Sequence, residues 1–412
     1  MQLRPHQQEA FDAMLANQVG QIYCPTGGGK TYIMIAHCKH LLDTATTPQT
    51  IVVVAPRILL ANQLQSEFCE FIIGASIAHV HSGETNLFHT TKPDEIASAV
   101  TLWRCNFKHT IIFTTYHSLG RVVDSGIDVD CIYFDEAHNG CGKAHFEGVF
   151  ATAQYIKQRY YFTATPRMGR GVSLQRGMNN SDVWGGVLCN VPAPVLIQNG
   201  SIVPPKIVPF ECDAVRTKHN AHWVDADTVN DVLTSLDEDH AAKVLVAAPN
   251  TRVLWNMLSQ TDLLDQLKER GYEYMHITSK HGAYVNQQKV SREVFFQTLD
   301  AWGRDDSKKF VIFHYSILSE GINVPGLTHT LLLRNLPIIE MAQTIGRVIR
   351  VHRDDVSDIQ QGKIPAGALS LYRKPCGFVT VPLHKAGQKT ADRLQRVVDS
   401  IFVEGVPPIA FA

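Results

Sequence analysis

The residues of this sequence best suited to chemistry are Lys30-Thr31, directly after three glycines, and the carboxylate pair Asp135-Glu136. In Cys24-Pro25-Thr26-Gly27-Gly28-Gly29-Lys30-Thr31 the phosphate-loop pattern G-x-x-x-x-G-K-S/T is met except at its first glycine, where Cys24 stands. Successive glycines let the backbone wrap around phosphates and present N–H groups, with a helix N-terminus behind them. Lys30 then reaches the β- and γ-phosphates, and the Thr31 hydroxyl ligates Mg²⁺. Asp135-Glu136 follows the apolar run Cys131-Ile132-Tyr133-Phe134. Carboxylates at the carboxyl end of a buried parallel strand face the crevice where ligands bind in such sheets. Asp135 suits the Mg²⁺ partner and Glu136 the base that polarises an attacking water. A carboxylate pair can also merely open a helix; the phosphate loop upstream favours the catalytic reading.

These groups need strands to carry them. Apolar runs at Gln21–Cys24, Ile51–Ala55, Thr110–Thr114, Cys131–Phe134 and Tyr160–Thr163 alternate with helical patterns, one over Ile58–Phe71. Continuous apolar strands between helices predict a parallel sheet covered on both faces. From about Gly169 to Pro209 the alternation stops, and Gly, Asn and Pro mark an excursion ending in a linker at Val203-Pro204-Pro205. Strands resume at Val244–Ala248, Tyr274–Thr278, Phe310–His314 and Thr328–Leu333, with helices over Leu254–Arg270 and Val290–Trp302. A strand at Phe378–Pro382 and a helix at Lys389–Phe402 close the chain. This predicts two α/β domains in tandem, residues 1–210 and 211–412, without a residue-level repeat.

Composition narrows the class but not the partner. Hydrophobic residues make up 45% of the 412 and charged residues 19%, as in ordinary soluble proteins. Neither a membrane-spanning run nor a secretory leader is evident, and nine scattered cysteines without a C-x-x-C pair fit a reducing, cytoplasmic setting. A net charge of -1 argues against coating nucleic acid by bulk electrostatics, although a grip on a few phosphates stays open. The 19 histidines raise a metal site, but neither His79/His81 nor His138/Cys141/His145 has a zinc spacing. Trp103 and Trp184 are read as packing residues rather than base-stacking platforms.

With Thr163-Ala164-Thr165-Pro166 ending the next strand, the phosphate loop and Asp135-Glu136-Ala137-His138 resemble, in order, the first core motifs of superfamily 2 helicases. That resemblance implies two tandem RecA-like domains, each a mostly parallel sheet flanked by helices, with ATP bound in the interdomain cleft. Thr163 and Thr165 would couple nucleotide state to nucleic-acid binding, with His138 linking the nucleotide site to the last motif. Leu3-Arg4-Pro5-His6-Gln7 resembles the family's adenine-reading segment, which implies that Gln7, with Arg4, contacts the adenine edge.

In the second half, Glu340–Arg350 places Gln343, Gly346, Arg347 and Arg350 at i, i+3, i+4 and i+7, one face if helical, with Met341, Thr344 and Val348 opposite. Two guanidiniums on one stripe suit a phosphate clamp. The stretch resembles the family's sixth motif, which implies that Arg347 and Arg350 are arginine fingers. Ser316–Gly326 resembles the fifth motif, implying nucleotide contacts from Gly321 and Asn323 and a backbone contact from Ser319. Pro56, Arg57 and Gln63, then Thr115, then Asn250 fall in segments similar to the family's strand-binding motifs, all strand ends opening helices where backbone phosphates can be held.

Gln343-Thr344 and Gly346-Arg347-Val348-Ile349-Arg350 are closest in pattern to DNA-directed members of the UvsW, RadD and XPB kind. The expectation is a monomeric, Mg²⁺- and ATP-dependent DNA helicase or translocase of a bacterial or phage-infected cytoplasm, acting on forked or branched DNA in repair or recombination. An RNA helicase, a duplex translocase that does not unwind, and a nucleotide-dependent binding protein remain as alternatives.

Overall fold

A computed structural model describes residues 2–83, 85–236, 242–278, 280–315, 324–334, 336–384 and 388–412. Two compact units are present, Met1–Pro192 with Pro407–Ala412, and Ala193–Val406.

The first unit is built on strands β1 (Val19–Tyr23), β2 (Thr50–Ala55), β3 (Ser76–Val80), β4 (Phe88–His89), β5 (Thr110–Thr115), β6 (Cys131–Phe134), β7 (Gln158–Thr163), β8 (Arg167–Met168) and β9 (Val187–Asn190). Its helices are α1 (Pro5–Ala16), α2 (Lys30–Thr44), α3 (Ile58–Phe71), α4 (Pro93–Cys105), α5 (Leu119–Asp124), α6 (Lys143–Tyr155) and α7 (Ser181–Trp184). All strands but β8 form one sheet in the order β4-β3-β5-β2-β6-β7-β1-β9, parallel at every pairing. Every residue of β2, β5 and β6 is buried, as expected where helices cover both faces of a parallel sheet.

The second unit contains α8 (Ala193–Gln198), β10 (Pro205–Glu211), α9 (Ala221–Thr234), β11 (Lys243–Ala247), α10 (Thr251–Ser259), α11 (Leu263–Glu269) and β12 (Glu273–Thr278). It continues through β13 (Gly282–Val285), β14 (Gln288–Val290), α12 (Arg292–Arg304), β15 (Phe310–His314) and β16 (His329–Leu332). The last elements are α13 (Ile338–Val348), α14 (Arg353–Gln360), β17 (Gly377–Leu383) and α15 (Gln388–Phe402). The sheet order is β10-β17-β16-β11-β15-β12-β13-β14, parallel as far as β12 and antiparallel through the final hairpin. Asn286 and Gln287 form that hairpin's two-residue turn, both at positive φ as such turns require.

The expected excursion over 169–209 is more ordered than its composition implies. β9 extends the first sheet beside β1, and β10 is an edge strand of the second sheet. Pro205 begins β10 and Pro209 lies within it, tolerable because an edge strand leaves one row of backbone groups outside the ladder. The units therefore divide at 192/193 rather than after residue 210, since α8 and β10 belong with the second sheet. The single helix expected over Leu254–Arg270 is two, α10 and α11, interrupted where Thr261 Oγ1 caps back onto the Met257 carbonyl at 2.6 Å. Pro407–Ala412 returns to the first unit, where β18 (Ala410–Phe411) pairs in parallel with β8. Trp184 is fully buried against Tyr161, a core residue as expected, and Trp103 packs edge-on against Phe88.

Candidate nucleotide site

The order β6-β7-β1 explains how distant segments meet: three adjacent parallel strands end in Asp135-Glu136, in Thr163, and in the phosphate loop. The Cys24 N–H continues the β1–β7 ladder onto the Thr163 carbonyl at 3.0 Å. Cys24 is fully buried, and burial pushes its thiol up to about 12, so it packs rather than reacts. Gly27 and Gly29 have φ of 89° and 83°, a region that a glycine enters without steric cost. A Cβ on Gly29 would meet the Gln7 amide nitrogen, so the Gln7 side chain would have to shift. Gly29 caps α2, whose first turn leaves N–H groups without intrahelical acceptors beside half-buried Thr31.

Lys30 opens α2, and its Nζ lies 3.2 Å from Glu136 Oε1 with both side chains about nine-tenths buried. Burial alone would lower the Lys30 pKa, but Glu136 and Asp135 beside it raise it above the usual lysine range. Asp135 moves up to about 7, first because it is buried and then because Glu136 is close, with Lys30 opposing. Two buried carboxylates thus share one ammonium. This acidic surplus suits a divalent cation, with Asp135 and the Thr31 hydroxyl as the oxygen donors that would hold it. Glu136 adopts φ 46° and ψ 55°, a left-handed conformation uncommon for a residue with a side chain and costly to maintain away from functional sites.

His138 ties this cluster to the end of β7. Its Nδ1 lies 2.9 Å from Thr163 Oγ1, 3.4 Å from Thr165 Oγ1 and 3.6 Å from Glu136 Oε2. The Thr165 N–H donates to Thr163 Oγ1 at 3.0 Å, so both threonines expected to couple stand in one buried network. Asn139 contributes a residue that the motif reading omitted, donating to the Glu136 carbonyl at 3.0 Å with its amide 3.3 Å from His138 Nε2. Tyr116 is another, its hydroxyl donating to the Asp135 carbonyl at 2.9 Å.

The segment expected to read adenine meets the loop directly. Gln7 Oε1 accepts from the Arg4 N–H at 2.9 Å, and its Nε2 donates to the Gly28 carbonyl at 3.3 Å. His6, also outside the expected set, places Nε2 2.8 Å from the same carbonyl, and burial lowers its pKa. Gln7 and His6 therefore brace the phosphate loop. Pro25 and Thr26 are half-buried at its entrance.

Among the expected strand contacts, Arg57 is exposed and Pro56 half-buried at the start of α3, while Gln63 donates to Glu67 Oε1 at 2.8 Å. Thr115 Oγ1 accepts from the Ser118 N–H at 3.3 Å, and Asn250 caps α10 by accepting from the Val253 N–H at 2.9 Å. Gly321, Asn323 and Ser319 lie outside the described residues. His79 Nδ1 and His81 Nε2 lie 3.0 Å apart, each ring pushed toward its neutral form by burial.

α13 carries Gln343, Gly346 and Arg347 on one face, as expected, and buries all three together with Met341, Thr344, Ile345 and Val348. The helix stops at Val348, and Arg350 instead forms an isolated antiparallel bridge with Ile202. Arg347 sits near His314 at the end of β15, whose pKa falls to about 3 through burial and then through the charges of Arg347 and Arg334.

The family profile described as "Type III restriction enzyme, res subunit" matches residues 1–168. No curated protein matches the chain. Among solved structures, the ATP-dependent Type ISP restriction-modification enzyme LlaBIII bound to DNA is similar at a TM-score of 0.71 and 14% identity, covering 100% of this chain. This chain spans 31% of that enzyme's length. Mss116p bound to ssRNA and AMP-PNP gives 0.61 at 14% identity, over 100% of this chain and 74% of that one. The Pyrococcus furiosus Hef helicase domain gives 0.55 at 13%, over 95% and 98%. The fold is that of two RecA-like domains in tandem. No helix among the described residues is long and apolar enough to cross a membrane.

Proposed function

We propose that this chain is an ATP-hydrolysing motor of the superfamily 2 helicase type, translocating on DNA and unwinding forked or branched substrates in repair or recombination. The observation that carries this reading is the buried Lys30–Glu136 pair, with Asp135 behind it and His138 joining it to Thr163 and Thr165. The similarity to nucleic-acid-bound helicase folds supports it.

Lys30 and the N–H groups at the head of α2 bind the phosphates of ATP. Bound Mg²⁺ supplies charge neutralisation on the phosphates, held by Thr31 and Asp135. Glu136 accepts the proton of the attacking water, and its salt bridge to Lys30 must loosen as the phosphates take the ammonium. His138 passes that change to Thr163 and Thr165. Arg347 and Arg350, with Gln343, stabilise the charge of the transferring phosphoryl group. Arg4 and Gln7 hold the adenine edge, and Gly321 and Asn323 contact the nucleotide. Pro56, Arg57, Gln63, Thr115, Asn250 and Ser319 track one strand's backbone. The motor works as a monomer in a bacterial or phage-infected cytoplasm.

RNA is the second reading, favoured by the likeness to Mss116p bound to ssRNA. ATPase assays with single-stranded, duplex and branched DNA and with RNA separate the two. Stimulation by branched DNA above all others is the expected result. Stimulation by RNA alone would move the motor to that track, and turnover indifferent to every nucleic acid would remove the motor reading.

A further inference from the structure

The segment that carries Arg350 is held at three points within the second unit. Arg350 bridges Ile202, and the Val203 N–H donates to the Ile349 carbonyl at 2.8 Å. The third hold is Lys374, whose Nζ donates to the Arg350 carbonyl at 2.8 Å. Lys374 is 7% exposed, which is unusual for a lysine, so its charge must be compensated locally. The compensation lies at the end of α13. A helix C-terminus carries unsatisfied carbonyls and partial negative charge, where a lysine is favoured. The chain just past Lys374 closes on that end so tightly that a Cβ on Gly377 would collide with the Val348 carbonyl. Asp355 of α14 braces the other side, accepting from the Lys374 N–H at 3.4 Å and from Arg373 Nη1 at 2.8 Å.

We propose that Lys374 is a positioning residue for Arg350, its ammonium holding the backbone from which the guanidinium is delivered to the nucleotide. This rests on the arginine-finger reading given above. A charge-assisted hydrogen bond to the carbonyl next to the finger restricts the backbone in a way that a neutral donor does less strongly.

The surroundings make the hold pH-dependent. Lys374 faces Arg350 beyond α13, Cys376 ahead of β17, Lys243 at the head of β11, and Asp355 with Arg373 alongside. Burial, then Arg350, lowers the ammonium to about 7, with Lys243 adding and Cys376 opposing. Raising the pH through that value removes the charge, and the hold on Arg350 weakens.

The test is steady-state ATPase of the full chain with single-stranded DNA, from about pH 6 to about pH 9. Wild type, Lys374→Arg, Lys374→Met and Arg350→Ala are compared, with thermal melting as the check on folding. Lys374→Met should lower kcat roughly tenfold with the KM for ATP unchanged, the loss expected for a hydrogen bond to a charged group. Lys374→Arg should recover kcat and hold it above neutral pH, where the wild type declines. A folded Lys374→Met protein with wild-type kcat would overturn the proposal. Should that variant fail to fold, matching pH profiles for wild type and Lys374→Arg would overturn it instead. Arg350→Ala with normal turnover, or a wild type without ATPase activity, would sink the finger reading itself. Loss in Arg350→Ala but not in Lys374→Met would sink only the role of Lys374.

Discussion

The charged groups at the head of α2 and those around the end of α13 are secured in opposite ways. In the first unit, Lys30, Asp135, Glu136, His138 and Thr163 lie at or just past the ends of adjacent strands, Lys30 at the head of α2, and they are linked by an ion pair and hydrogen bonds to one another. In the second, Arg347 is enclosed among helix residues, while Arg350 lies past the helix and is set by backbone contacts from Ile202 and Lys374. The first cluster is self-braced; the second is held from outside. Substitutions in the first, and of Arg347 itself, should therefore remove chemistry, whereas substitutions among the groups that hold Arg350 should grade it.

The largest expected effect comes from Glu136→Gln. It should reduce turnover by about a thousandfold or more while ATP binding, followed by fluorescent-nucleotide titration, persists. Retained hydrolysis would take the base role from Glu136. Arg347→Ala comes next, with kcat down by roughly a thousandfold and nucleotide affinity little changed. Normal turnover there would restrict the second unit's part in hydrolysis to other residues.

A pH experiment sharpens the comparison on the first cluster. The folded pKa of Asp135 is raised above its unfolded value, so its contribution to stability is present at low pH and is lost as pH rises through about 7. In nucleotide- and metal-free protein, Asp135→Asn should raise the melting temperature at pH 8, on the order of 2 kcal/mol of stability, with less gain at pH 6. Equal gains at both pH values would show that the buried carboxylates are not in electrostatic surplus. The smallest effect concerns Asn250. Asn250→Ala should cost about 1 kcal/mol in chemical denaturation by removing the α10 cap, and Asn250→Ser should keep the cap. If both variants bind DNA like the wild type, Asn250 serves α10 alone.

Much of the first unit was legible because each functional residue is attached to a local pattern. An apolar run followed by glycines and Lys30, or by Asp135-Glu136, states both the strand and the group at its end. The helix over Ile58–Phe71 and the strand at Phe310–His314 were placed residue for residue for the same reason, since apolar periodicity is a local property. The excursion over 169–209 was misread because Gly and Pro that usually mark loops here accompany the edge strand β10 and the added strand β9. Of the stripe from Gln343 to Arg350 only Arg350 falls outside α13, because helical spacing cannot say where a helix stops. Braces such as His6 and Lys374 left no signal of their own, as a hydrogen-bond partner 22 or 24 residues away has no spacing rule.

What the sequence determined by itself is the inventory: a glycine-rich loop ending in Lys30-Thr31, two carboxylates after a buried strand, two threonines ending the next strand and a pair of arginines, each tied to a nearby element. Tertiary structure decided which of them meet. The order β6-β7-β1 brings residues 24, 136 and 163 side by side, because neighbours in a parallel sheet are set by crossover connections rather than by chain order. It also decided the charge state at the site. Lys30 and Asp135 acquire their perturbed titration only when burial removes the water that would otherwise screen them.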